Sequence, residues 1–364
     1  MAKIVEKVMF KPNYKMTNEL VDYLLKLESL RKEIDYLPIS VSVLNSLRET
    51  SKIESIHYST MIEGNRLTLA QVKELLFEGK TFGKERDEKE IKGYERAFVW
   101  LNTQINLESP ITEKIIKQLH AIIMGAGKIP KATPYRDGQN VIKDSATHKI
   151  VYLPPEAKDV PTLMKELIDW LDNADKNKIP VPLQAAILHY QFATIHPYYD
   201  GNGRTARLLA TYLLQLKGYG LKGVYSLDEY YAKNLSSYYE ALTIGSHNYY
   251  TDRAEADITS WLKYFCSKMV ESFKNVKKHA IEAQKIGEKD LSRQIRFLDN
   301  NQRKVLSLFK SKAFITSDDI QKLLNLNPRT VRNLAQSWVQ LGFLLVANPS
   351  KKARKYSLSK ELDY

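Results

Sequence analysis

The chain has 364 residues, 43% hydrophobic and 27% charged, with 55 Lys+Arg against 42 Asp+Glu for a net charge of +13. The length allows two or three domains and the composition is that of an ordinary globular protein. No apolar stretch is long enough to predict a membrane span, and one cysteine, Cys266, excludes an internal disulfide or a thiolate metal cluster.

The N-terminus lacks the apolar core of a signal peptide, so a cytoplasmic location is expected. Most of the chain then reads as helix, in four expected parts: an N-terminal helical lobe over 1–100, a core over 101–275, a connecting helix over 276–300 and a C-terminal domain over 301–364. Val21, Leu24, Leu25, Leu27 and Leu30 lie near helical spacing and predict one core-facing stripe. Next comes Ser59-Thr60-Met61-Ile62-Glu63-Gly64-Asn65. Ser59 and Glu63, four apart, share a helical face, and Gly64 is a helix stop. Glu63 then falls in a last turn, where the helix dipole disfavours negative charge, so a cationic partner is expected.

Ile115, Ile116, Leu119, Ile122 and Ile123 predict a further amphipathic helix. The pattern breaks over 135–155. Arg136-Asp137-Gly138 is a turn signal, and Val141-Ile142 and Ile150-Val151-Tyr152-Leu153 are β-prone runs about a polar stretch. They predict a hairpin closed by Pro154-Pro155. Helical stripes resume at Leu183, Ala186, Ile187 and Tyr190, and at Leu208, Leu209, Tyr212, Leu213 and Leu216, the latter stopped by Gly218.

Between the last two stripes lies His196-Pro197-Tyr198-Tyr199-Asp200-Gly201-Asn202-Gly203-Arg204-Thr205-Ala206-Arg207. Gly201 and Gly203 let the backbone approach a ligand closely. The helix that follows offers free N–H groups and a partial positive charge. Arg204 and Arg207, three apart, add two guanidiniums, which suits a polyphosphate. His196 has the chemistry of a general base, Asp200 that of a hard ligand for Mg²⁺, and Asn202 can donate to charge developing on a phosphoryl group. Cys266 sits in an apolar run and reads as a small buried hydrophobe. The histidines other than His196 show no ligand spacing, and no zinc site is expected.

The tail from 301 to 364 carries twelve basic and four acidic residues, a net charge of +8. It reads as helix, helix, helix, hairpin: Gln302 to Lys310; a helix capped at Thr316-Ser317-Asp318-Asp319; a third from Asn327-Pro328 to Trp338; then strands at Phe343–Val346 and Lys355–Leu358 around the basic loop Lys351-Lys352-Ala353-Arg354. This order resembles a winged helix-turn-helix, in which Arg329, Thr330, Arg332 and Asn333 would start the recognition helix and the wing lysines would meet phosphates. Winged helices bind DNA or RNA and also serve as protein–protein modules, and the third helix shows few base-reading side chains.

The string at 196–204 closely resembles the signature of the Fic family, His-Pro-Phe-x-(Asp/Glu)-Gly-Asn-Gly-Arg, with Tyr198 where Phe is usual and Arg207 as its extension. The resemblance covers about 11–267. It implies a mainly α fold, a Fic helical core with a small hairpin flap and a C-terminal winged helix. It implies an AMP-transferring enzyme that uses ATP and Mg²⁺ and modifies a Ser, Thr or Tyr hydroxyl of a target protein. His196 would be catalytic and Asp200 the metal ligand. Gly201, Asn202, Gly203, Arg204, Thr205, Ala206 and Arg207 would bind nucleotide, and Asn234 its base. The 135–155 hairpin would dock the target. Ser59 to Gly64 matches the family's inhibitory motif, which implies that Glu63 pairs with Arg207 and misaligns the nucleotide. Transfer of another nucleotide or phospho group, or a nucleic-acid-binding regulator with a nucleotide-sensing core, are the alternative readings. An apolar helical surface also allows a homodimer.

Overall fold

A computed structural model describes residues 10–37, 39, 41–125, 130–143, 150–285, 298–310, 312, 314–348 and 354–359. The chain divides into two compact units, one formed by 1–37 and 46–281, the other by 38–45 and 282–364. Among the described residues no helix is long and apolar enough to cross a membrane.

The first unit is almost wholly helical. It opens with α1 (Asn18–Tyr36), started by the Thr17 side chain, which accepts from the Leu20 N–H. Its buried face is Leu20, Leu27, Leu30 and Ile34, while Val21 and Leu25, expected on that face, are 40% and 67% exposed. The helix carries apolar residues on two sides, and only packing decides which side is covered. Then follow α2 (Val41–Ile62), α3 (Leu69–Phe77), α4 (Glu85–Asn106) and α5 (Glu113–Met124). In α5 the predicted stripe buries Ile116, Leu119, Ile122 and Ile123.

The hairpin forms as two short antiparallel strands, β1 (Ile142–Lys143) and β2 (Ile150–Tyr152). Residues 144–149 lie outside the described ones. After α6 (Val160–Ala174) come α7 (Val181–Ile195) and α8 (Asn202–Leu216), which pack on each other more extensively than any other pair. Thirteen of the 15 residues of α7 are buried, so it is the central helix of the unit and is apolar on every side. The rest is α9 (Asp228–Lys233), α10 (Leu235–Leu242), α11 (Tyr250–Glu255) and α12 (Thr259–Lys285). Cys266 on α12 is fully buried, and burial pushes its thiol up to about 12, so the thiolate is not formed near neutrality. The helix expected over 276–300 is represented by the end of α12; residues 286–297 lie outside the described ones.

The C-terminal unit has its own apolar core, including Val305, Ile315, Ile320, Val331, Trp338, Phe343, Leu344 and Tyr356. Helix α13 (Asn300–Leu306) begins with a capping box between Asp299 and Gln302. Then come β3 (Ile315–Thr316), α14 (Ser317–Leu324), α15 (Pro328–Gln340), β4 (Leu344–Asn348) and β5 (Lys355–Leu358). The sheet is antiparallel in the order β3-β5-β4. The sequence reading missed β3. Two residues carry no periodicity, and the strand exists only because Ile315 and Thr316 pair with Tyr356 and Lys355. The loop expected to carry Lys351, Lys352 and Ala353 lies outside the described residues.

Candidate active site

The loop at 196–201 joins the two best-packed helices. His196 closes α7 in a left-handed conformation (φ 52°), and its N–H donates to the Phe192 carbonyl. Its Nδ1 lies 3.3 Å from the Ala193 carbonyl. A carbonyl only accepts, so the proton sits on Nδ1 and Nε2 is left as the basic nitrogen. Burial lowers the pKa of His196 to about 4, so the ring is neutral at pH 7.

Gly201 starts α8 with φ 76°. A Cβ there would meet Met124 Sδ at 2.6 Å and His120 Nε2 at 3.2 Å, so both its conformation and its surroundings call for glycine. No side chain caps α8. The first N–H groups of a helix have no partner within it, so those of Asn202, Gly203 and Arg204 form a concave anion site.

The Asn202 side chain holds the loop. Its Oδ1 accepts from the Tyr198 N–H (2.9 Å), and its Nδ2 donates to the Tyr198 carbonyl (2.8 Å). The amide is thus a two-bond clamp on the loop, and one N–H of its Nδ2 remains beyond those two bonds. Thr205 and Ala206 are both 0% exposed, and the Thr205 hydroxyl donates to the Gly201 carbonyl. Both side chains pack inside the unit. Asn234 is exposed and caps α10, its Oδ1 accepting from the Ser237 N–H; no described hydrogen bond joins it to the loop.

The two arginines are buried and differently held. Arg204 donates to Asp200 Oδ1 (3.2 Å) and lies 3.8 Å from Glu90. Arg207 donates through Nε to Ser59 Oγ (2.9 Å) and through Nη2 to both the Ser59 carbonyl (2.7 Å) and Glu63 Oε1 (2.9 Å). Glu63 follows α2 directly, before Gly64 at φ 91°. Its carboxylate also reaches over the start of α8, since a Cβ on Gly203 would collide with Glu63 Oε1. The predicted cationic partner of Glu63 is thus Arg207, across 144 residues of chain.

Asp200 is exposed, as is its neighbour Tyr199. The Asp200 Oδ1 accepts from Gly201 N–H (2.6 Å) and from Arg204. Among the described residues no group of three or more His, Cys, Asp or Glu converges as a metal site. One carboxylate beside a phosphate site fits Mg²⁺, which commonly takes one or two protein carboxylates and completes its shell with phosphate oxygens and water.

Four supports were not legible in sequence. Arg136, read as part of a turn, is 4% exposed and donates to three carbonyls: His196 (3.0 Å), Gly138 (2.9 Å) and Pro155. It ties the base of the hairpin to the loop. His120 lies under the loop, its Nε2 2.8 Å from the Asp200 carbonyl and its ring stacked on Tyr198 at 3.6 Å. Among the described residues the Tyr198 hydroxyl, absent from the Phe usual at this position, is buried with no hydrogen-bond partner. Asp228 is 3% exposed and 3.2 Å from Arg207 Nε; burial raises its pKa to about 6, against the pull of Arg207. Tyr239 donates to the Ile62 carbonyl (3.3 Å) and so pins the end of α2 that carries Glu63.

Residues 110–214 match the Fic/DOC family model. Two curated relatives called "Protein adenylyltransferase Fic" align with the chain. That of Drosophila willistoni is 31% identical over 198 residues, 54% of this chain, and that of Drosophila mojavensis is 33% identical over 199 residues, 53% of this chain. In each case the match covers 38% of the relative, so this chain spans less than half the length of the curated proteins it matches. A solved Fic family protein from Desulfovibrio desulfuricans G20 superposes with a TM-score of 0.61 at 22% identity, covering 96% of this chain and 99% of that one. A Fic domain-containing signaling protein from Bacteroides thetaiotaomicron VPI-5482 gives 0.60 at 26% identity, covering 73% and 97%.

Proposed function

From the premise that this is a Fic family protein, with its Fic domain over 110–214, we propose an autoinhibited protein adenylyltransferase that moves AMP from ATP to a Ser, Thr or Tyr hydroxyl of a target protein. In this reading the triphosphate lies on the first N–H groups of α8, held by Arg207 and backed by buried Arg204. His196 Nε2 takes the proton of the target hydroxyl as that oxygen bonds to the α-phosphorus. The bond to the bridging oxygen breaks, pyrophosphate leaves, and AMP remains on the target. Asp200 would hold Mg²⁺, which when bound neutralises phosphate charge. The neutral, correctly protonated ring of His196 supports its role as base.

The target would dock on the hairpin. A two-stranded sheet leaves open edges for an extended peptide, and Ile150 and Val151 of β2 are 56% and 37% exposed. That apolar surface supports a bound segment rather than a solvated loop.

The observation that carries the proposal is the Glu63 carboxylate on Arg207 over the uncapped start of α8. The chain's own anion fills an anion site, so a nucleotide must displace it or bind askew. A hydrogen bond to a charged group contributes about 1.5–3 kcal/mol, so removing the competitor is expected to raise transfer roughly tenfold or more. Intact-protein mass spectrometry tests this. Glu63→Gly incubated with Mg²⁺ and each nucleoside triphosphate should gain one AMP with ATP, faster than wild type, and the Glu63→Gly, His196→Ala double variant should gain nothing. No transfer to itself or to lysate proteins would sink the activity. Equal transfer by wild type and Glu63→Gly would sink the autoinhibition.

A further inference from the structure

The C-terminal unit presents a helix face that the catalytic reading does not use. Helix α15 buries Val331, Ala335 and Trp338 in the unit's core. On its other side Arg329, Arg332, Asn333, Gln336 and Gln340 are exposed. Their spacing of three, one, three and four residues puts them on one stripe along the whole helix. The stripe holds no acid, and α15 has none anywhere in its sequence. Neither Arg329 nor Arg332 enters a described ion pair.

The residue types matter as much as the charge. Arg pairs in two-bond fashion with guanine, and Asn and Gln do so with adenine. The sequence reading found few base-reading side chains on this helix. The exposed stripe adds Gln336 and Gln340, and every side chain on it is of a type that contacts phosphates or base edges.

The setting of α15 is equally specific. Helix α14 ends at Asn325 in a left-handed conformation (φ 52°, ψ 47°), and Asn327 caps α15, accepting from the Thr330 N–H, with Pro328 in its first turn. Three residues thus turn one helix into the next, as in a helix-turn-helix pair. The packing of α15 on α14 and β4 fixes the buried face and holds the stripe outward. Among the described acids of the unit, Asp299 and Asp319 are engaged in helix caps, Asp319 is also paired with Lys312, and Asp318 lies in the first turn of α14 rather than on α15. Over 301–364 the charge is +8, against +5 for the other 300 residues.

We propose that α15 is a DNA-reading helix, which enters the major groove of a duplex with Arg329 and Arg332 supplying phosphate and guanine contacts and Asn333 and Gln336 reading base edges. An α-helix fits the B-form major groove, and the groove presents the donors and acceptors that these side chains match. This inference rests on the C-terminal unit alone and does not need the catalytic reading to hold.

The test uses the full chain. Fluorescence anisotropy with a labelled duplex should show binding in the micromolar range or tighter at low salt, weakening steeply as salt rises. Arg329→Ala and Arg332→Ala should each flatten the log–log salt slope by about one. Selection from a random duplex pool should yield a preferred sequence, with Asn333→Ala or Gln336→Ala relaxing the preference at one position by about tenfold. These residues are exposed, so the variants should keep the wild-type melting temperature. No binding by the wild type at low salt would overturn the proposal. So would arginine variants that keep the wild-type slope, since the charge of the rest of the chain would then account for the binding.

Discussion

At the scale of the residue, the electrostatics of the loop follow from burial. His196 would titrate near 6.5 in water, and its enclosed position lowers that to about 4. A base works in its unprotonated form, so lowering its pKa extends the active range downward. With Glu63→Gly protein, which lacks a carboxylate that raises the His196 pKa, the rate of AMP transfer is expected to hold roughly constant from pH 8 to about 5 and to fall only at about pH 4 or below. A midpoint near 6.5 in that pH–rate profile would contradict the enclosed ring. Neither the burial nor the proton position was legible in the string His196 to Arg204. They depend on the left-handed close of α7 and on the carbonyls of Ala193 and Phe192.

At the scale of the element, the joint between α7 and α8 is held by side chains that serve backbone. Asn202 meets both polar groups of Tyr198, Arg136 gathers three carbonyls, and His120 meets the carbonyl of Asp200. Asn202 is 2% exposed, so its loss leaves a buried N–H and a buried carbonyl without partners. Asn202→Ala is expected to cost roughly 2–4 kcal/mol, read as a fall in the urea midpoint. An unchanged midpoint for Asn202→Ala would show that the clamp contributes nothing. The helix starts at Thr17, Thr112 and Gly201 and the stop at Gly64 are local, and the sequence reading of a helix stop at Gly64 and a glycine-led start to α8 rests on single residues.

At the scale of the molecule, His57, His120 and His189 are buried, His196 is half-buried, and desolvation lowers the pKa of each. Burial lowers His189 to about 3 and His120 and His196 to about 4, where each would be 6.5 or so unfolded. The unfolded chain therefore binds more protons than the folded one between about pH 6.5 and 4, and stability rises with pH across that window. The melting temperature should be highest above about pH 7 and fall steadily toward pH 4. His189→Gln, which keeps an amide opposite the Tyr238 hydroxyl that His189 now meets at 3.0 Å, should make the fall shallower. A melting temperature flat from pH 7 to 4.5 would show that these rings are not held neutral.

The sequence by itself determined the mainly helical character, the hairpin near 135–155, the three helices and the closing strand pair of the tail, and the nine-residue string at 196–204. Each is written in neighbouring residues: a 3.6-residue stripe, a glycine at positive φ, a cap before a proline. Which face of α1 is covered, the existence of β3, the use of Asn202 as a clamp, and the meeting of Asp228 with Arg207 were decided only by the tertiary structure. These features join groups far apart in the chain. The Glu63–Arg207 pair, 144 positions apart, was implied only by the motif's resemblance to a family, because periodicity and spacing within a segment carry no information on a partner so far away in the chain.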